Sequence, residues 1–166
     1  MDRFHSRLAV QQRVFPNYRA PFFDLLASSC EKGMSLFSGL PRSEESITSG
    51  KLSITDHQLG KNIHLFGGPL YLCYQRGLID WLQKNDPDAL MVEANPRYLS
   101  TASAVKWMQA RGRKVIGWGL GSPPLSGPLA GFRQSRRLNF LGQFDALIAY
   151  SQRGADEYAA LGFPRG

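Results

Sequence analysis

Four short stretches gather side chains and backbone suited to holding polar ligands: "PNYRAPF" (16–22), "EANPRY" (93–98), "WGLGSPP" (118–124) and "SQRG" (151–154). In the first, Asn17, Tyr18 and Arg19 precede Pro21, a residue that fits the first turn of a helix. An arginine beside free N–H groups and the positive end of a helix dipole can hold a phosphate or a sugar hydroxyl. The plain alternative is that Tyr18 packs locally and Arg19 is a solvated charge. In the second stretch Glu93 and Asn95 occupy alternate positions, which share a direction where a strand ends, and Arg97 follows. A carboxylate, an amide and a guanidinium this close suit a polyhydroxylated ligand; the alternative is a Glu93–Arg97 ion pair around an Asn-Pro turn. Gly119 and Gly121 follow an apolar run and would let a ligand approach the backbone, with Ser122 beside them. A flexible loop has the same composition. Ser151 and Arg153 complete the set after the last apolar run.

Other chemistries are less well served. The GxGxxG pattern fails at Pro124, and no GxxxxGK[ST] occurs. His5, His57 and His64 are scattered, no nucleophilic triad is legible, and no CxxC or His/Cys cluster points to a metal. Arg133, Arg136 and Arg137 lie on one side of a basic segment, with Leu129, Phe132 and Phe140 among them at helical spacing. That mixture suits an interfacial helix on anionic lipid, its arginine stems snorkelling towards headgroups; equally, it suits a helix with an apolar core side and a solvated basic side.

The stretches follow predicted strands. "RLAVQQRVF" reads as a first strand ended by Pro16, then a helix over Ala20 to Glu31 stopped by Gly33, then the strand "MSLFSG". Residues 40–62 are polar and broken by Gly and Ser, a loop or excursion with room for a hairpin at Lys51 to Thr55. "IHLFGG" reads as a strand, Tyr71 to Lys84 as a helix with Leu78, Ile79 and Leu82 on one face, and "DALMVEAN" as a buried strand. A helix over Tyr98 to Arg111 follows, with Leu99, Ala102, Val105 and Met108 at every third residue; then the strand "RKVIGWGLG", the basic helix near Leu129 to Gly142, the strand "FDALIAYS" and a final helix. Ser151 is the expected N-cap of that helix and Gly162 its C-cap. Strands alternating with helices predict right-handed βαβ units in a Rossmann-like, three-layer α/β/α domain with a mostly parallel sheet. Ligands of such sheets bind at the carboxyl ends of the strands, where strand order reverses.

The chain of 166 residues fits one domain. Its 43% hydrophobic and 20% charged residues are ordinary for a globular protein, whereas the net charge of +7 and pI near 9.7 are not. Such a surface attracts anionic lipid, phosphorylated small molecules or nucleic acid. No nucleic-acid recognition motif or aromatic platform supports the last. Two distant cysteines, no secretory h-region and no apolar run near a membrane-spanning length point to a reducing cytoplasm, with any membrane contact peripheral on the inner face.

Taken together, "QRVFPNYRAPFFDLLA", "SGLP", "PDALMVEANPRYLST", "GRKVIGWGLG" and "FDALIAYSQRGADEYAALGFP" resemble the N-terminal domain of GT-B glycosyltransferases of the family 4 type, in the expected order over nearly the whole chain. The resemblance implies one half of a GT-B fold over residues 1–166. It implies transfer of a sugar from a nucleotide-sugar donor, a co-substrate rather than a cofactor, to a glycan or lipid-linked acceptor. This half would shape the acceptor side, and a C-terminal domain outside this chain would hold most of the donor and an E-x7-E carboxylate pair. Asn17, Tyr18, Arg19, Glu93, Asn95, Arg97, Gly119, Gly121, Ser122, Ser151 and Arg153 would line the cleft, and the three arginines of the basic helix would face a membrane. The chain departs from the family where many members carry Gly-Gly (here Pro16-Asn17-Tyr18-Arg19) and a histidine (here Leu120), so no catalytic residue is assigned. The competing class is a non-catalytic α/β binding module with a basic, membrane-facing surface.

Overall fold

The computed structural model describes residues 3–53 and 55–165. Runs such as "LAV", "SLF" and "ALMV" are apolar at consecutive positions because each strand is covered on both faces, the mark of a parallel sheet. Six strands pair in parallel: β1 (Leu8–Val14), β2 (Met34–Gly39), β3 (Asp56–Leu59), β6 (Ala89–Glu93), β7 (Lys114–Gly119) and β8 (Ala146–Ala149). Their order is β3-β2-β1-β6-β7-β8, so the winding reverses between β1 and β6. On one face Leu8, Val10, Leu36 and Met91 pack with Phe23 of α1 (Ala20–Ser28); on the other, Ala9, Phe37, Leu90 and Val115 pack with α2 (Leu78–Asn85), α3 (Leu99–Gln109) and Tyr158 of α5 (Gln152–Ala160). This is a Rossmann-like three-layer α/β/α domain, as the alternation of elements predicts. Between β7 and β8 lies α4 (Ala130–Leu141), and among the described residues no helix is long and apolar enough to cross a membrane.

Several local expectations give way to tertiary partners. Leu72–Arg76, expected within a helix from Tyr71 to Lys84, is instead strand β5, antiparallel to β4 (Lys61–Leu65) in a separate two-stranded sheet. Cys73 and Gln75 are buried while Tyr74 and Arg76 are exposed, a period of two that only the β4 partner makes useful. The helix begins after Gly77, whose φ of +90° lets the chain turn, and there Leu78 and Leu82 are buried as expected. The polar excursion 40–62 carries strand β3 on the free edge of β2. The expected hairpin at 51–55 includes Ile54, which lies outside the described residues; the ladder begins only at Asp56. The first helix stops at Ser28, short of Glu31, where the Ser28 and Ser29 hydroxyls both donate to the Leu25 carbonyl. On α3 the buried positions are Ser100, Thr101, Ala104, Val105 and Met108, so the expected stripe is rotated and Leu99 is exposed.

The strands diverge where the winding reverses. β1 and β6 pair only from Leu8↔Ala89 to Val10↔Met91, and β1 bulges between Gln12 and Val14 in its register with β2. Backbone groups freed there meet buried amides. Gln11 accepts from the Glu93 N–H at 3.2 Å and donates to Gln75; Gln75 donates to the Gln12 carbonyl and to Asn62, each at 3.0 Å; Asn62 donates to the Arg13 carbonyl at 2.8 Å. The β4–β5 hairpin is therefore fastened to the carboxyl end of β1 by side chains. Replacing Gln75 with alanine leaves Gln11 and the Gln12 carbonyl without this partner in the interior, so a loss of about 2 kcal/mol is expected. A lowered urea midpoint at unchanged slope checks it.

Candidate functional site

A cleft of about 370 Å³ opens at the carboxyl ends of β1, β6, β7 and β8, beside the reversal. Of the site residues expected from the stretches after the strands, Arg19, Glu93, Asn95 and Ser122 line it with their side chains and Gly119 and Gly121 with their backbone. Arg19 ends a 3-10 turn (Asn17–Arg19) and precedes α1 directly, with Pro21 in the first turn of the helix. Its guanidinium donates to the buried Gln12 side chain and lies 5.5 Å from the ring centre of Trp118 and 5.3 Å from that of Tyr150. Trp118 and Tyr150 stack at 4.8 Å with planes 20° apart. The cation is thereby fixed over an aromatic floor while part of its donor set stays uncommitted.

Glu93 and Asn95 both line the cleft, and each is also bonded to backbone. The Glu93 carboxylate turns back to accept the N–H that the β1 bulge frees at Arg13. Burial pushes its pKa up, and that hydrogen bond together with the charges of Arg13 and Arg19 opposes the rise. Asn95 accepts the Arg97 N–H at 3.0 Å, closing a turn that carries the chain to Tyr98. Arg97 is exposed, outside the cleft lining and unpaired with Glu93, so the expected Asn-Pro turn is present without the ion pair, and only Glu93 and Asn95 of the three reach the cleft. Tyr98 lines the cleft, its phenol pushed up to about 12 by burial and by the Glu93 charge; burial raises Tyr150 as well. Both are neutral hydrogen-bonding groups near pH 7 rather than bases.

The glycines serve packing. A Cβ on Gly119 would stand 2.5 Å from the Tyr158 hydroxyl, and one on Gly121, at φ +105°, 2.6 Å from the Gly154 Cα. They let the loop after β7 sit against α5 and so set where Ser122 lies. Ser122 is buried and its hydroxyl has no partner among the described residues. Ser151 caps α5, its hydroxyl accepting from the Gly154 N–H, and Arg153 pairs with Glu157 at 3.2 Å; neither lines this cleft. Asn17 is exposed and its N–H donates to the Thr48 carbonyl, while Tyr18 stands 73% exposed at the rim beside Arg19.

The basic helix divides its arginines between two environments. Arg133 and Arg136 are exposed, whereas Arg137 lines the cleft and donates to the Pro123 carbonyl. The cleft thus holds two guanidiniums on different elements, Arg19 and Arg137. Sequence reasoning missed Gln12, Tyr98, Trp118, Tyr150 and the inward role of Arg137. A signal for the first was present: "QQ" interrupts an apolar run that a buried parallel strand would otherwise continue. No protein-family model, curated protein or solved structure matches this chain.

The titration of two carboxylates follows from this geometry with opposite signs. Glu93 has a raised folded-state pKa, so its contribution to stability is greatest below the ordinary carboxyl range and declines as pH rises through the raised value. Glu45 is held below its ordinary range: burial alone would raise it, but the Arg13 guanidinium at 2.9 and 3.0 Å and the Arg42 N–H outweigh that. Its contribution is present above the ordinary range and lost as pH falls through the lowered value. In denaturation at several pH values, Glu93→Gln should gain on the native protein as pH rises from acid to neutral, and Glu45→Gln should lose.

Proposed function

We propose that this chain is the acceptor-binding domain of a glycosyltransferase, one half of a GT-B arrangement whose nucleotide-sugar donor is held mainly by a further domain. The observation that carries the reading is the pair of guanidiniums, Arg19 and Arg137, facing one cleft above the Trp118–Tyr150 platform at the point where strand order reverses. Two guanidiniums suit a phosphate-bearing ligand. The flat aromatic floor offers a sugar ring a surface for its C–H face, and the Asn95 amide and neutral phenols offer partners to its hydroxyls. Among the described residues the cleft lining contains no histidine or cysteine, and Glu93 is engaged with backbone, which favours binding and orientation over covalent catalysis by this half.

The charge distribution favours a working position against an anionic membrane. At the amino edge of the sheet several basic groups are paired, among them His5–Glu31 at 2.8 Å, Arg113–Asp86 and Lys114–Asp145 at 2.7 Å. Among the described residues Arg19, Arg97, Arg133, Arg136 and Arg137, all at or near the carboxyl edge, have no carboxylate partner within ion-pair distance, which leaves a group of unpaired positive charges there. Beside them Leu120, Leu129 and Phe132 are 80%, 73% and 61% exposed, and the Arg136 guanidinium lies 5.9 Å from the Phe132 ring centre. Apolar tips among unpaired arginines fit the boundary of an anionic bilayer.

Two measurements test this reading. In calorimetric titration with a hexose 1-phosphate, Arg19→Ala should weaken binding about tenfold and Arg97→Ala less than twofold; no binding by the native chain, or an unchanged Arg19→Ala, overturns it. In flotation with phosphatidylglycerol vesicles, binding should fall with salt, and the double variant Arg133→Glu/Arg136→Glu should lose at least tenfold in partitioning.

A further inference from the structure

A second groove, of about 620 Å³, runs between α4 and α5, walled by Pro124, Leu125, Ala130, Gly131, Ala160 and Leu161. Ser122 lines both this groove and the basic cleft, so the two cavities meet at that residue. Two polar atoms in the groove are buried without a partner among the described residues: the Ser122 hydroxyl, on a residue only 5% exposed, and the Gln134 side-chain oxygen. Buried polar groups are as a rule hydrogen-bonded, and each left alone weakens the fold. Of the charged residues that line the groove, Arg153 pairs with Glu157, whose side chain is only 16% exposed, and Asp156 pairs with Arg165. The groove therefore offers apolar walls together with a hydroxyl and an amide oxygen free to bond.

We propose that the groove takes the hydrocarbon chain of an anionic amphiphile whose phosphate sits between Arg19 and Arg137. The linkage between chain and phosphate, an ester or hydroxyl, lies at Ser122 and Gln134, which supply a hydroxyl and an amide able to present donor or acceptor. Charge fixes the order: the cleft holds guanidiniums without a carboxylate partner, whereas the charged residues of the groove are paired with one another or with Arg165, which leaves neutral groups and apolar walls to the part of the ligand beyond the phosphate. Gly131 belongs to this design, because a Cβ there would meet nothing within 4 Å, leaving the α4 side of the groove open. The exposed Leu129 and Phe132 are on the same helix end, so a chain enters from the side proposed to face the bilayer. The inference rests on the acceptor-domain reading and narrows it to a lipid-linked acceptor.

The test uses monomeric ligands, which separate this groove from adsorption to a bilayer: dihexanoyl phosphatidic acid below its micellar concentration, and glycerol 3-phosphate as the chainless control. The native chain should bind the lipid at least tenfold more tightly than the control. Gly131→Leu fills the groove from a helix position with free space, so the fold should persist, and it should abolish that preference while leaving glycerol 3-phosphate binding unchanged. Ser122→Ala should weaken the lipid several-fold, and Arg137→Ala should weaken both ligands. Equal affinities in the native chain, or an unaltered preference in Gly131→Leu, overturn the inference and leave the acceptor-domain reading standing. Binding of neither ligand overturns both. Displacement of the lipid by an uncharged apolar peptide amide that binds more tightly, with the same sensitivity to Gly131→Leu, assigns the groove to peptide and overturns the inference.

Discussion

The structure turns on the separation of β1 from β6 after Val10. A parallel sheet that winds outward in both directions from its centre must open where the directions part, and there the ladder ends while strands remain. The freed backbone groups lie in the interior, where an unmade hydrogen bond is costly. Gln11, Gln75, Asn62 and Glu93 supply the missing partners, and each does so from a different element. The hairpin is docked by this requirement, the bulge at Arg13 is held open by it, and the carboxylate nearest the cleft is oriented by it.

The same opening makes the site. Because β1 and β6 part, the helix after β1 can present Arg19 over rings from β7 and the end of β8, and the bulge turns the Arg13 N–H to Glu93. Arg19 is anchored through Gln12, so the amide that follows Gln11 in the strand, pointing to the opposite face, links the interior network to the cleft wall. Arg13 itself points away, into a bidentate pair with Glu45 that secures the polar excursion after β2. Positive charge in the cleft thus rests on two arginines held by neutral acceptors, Gln12 and the Pro123 carbonyl, which leave their charge available to a ligand.

Local signals were sufficient where one element carries its own information. Ser151 and Gly162 bound α5 as their types require, the Ser151 hydroxyl taking the Gly154 N–H and Gly162 adopting φ +92°. Leu72–Arg76 shows the opposite case: its composition tolerates a helix, and only the ladder with Lys61–Leu65 makes it a strand. Gly119 and Gly121 read in isolation as room for a ligand, whereas the space they leave is filled by Tyr158, Glu157 and Gly154 of α5. A glycine announces that something comes close, but its neighbour is known only when distant segments are placed.

The sequence by itself determined the alternation of strands and helices, the parallel sheet covered on both faces, the stretches after the strands as the place for a site, and the unusual basic charge. These are properties of composition and short-range period, which each segment expresses before it meets any other. Tertiary structure alone decided that two glutamines in a buried strand become the hinge of a hydrogen-bond network, that Trp118 and Tyr150 form one platform under Arg19, and that Arg137 turns inward while Arg133 and Arg136 remain outside. Those outcomes depend on contacts between residues as far apart as Gln11 and Gln75 or Arg19 and Tyr150. Such contacts satisfy buried polar groups only after the strands have separated, and no local pattern encodes where that separation falls.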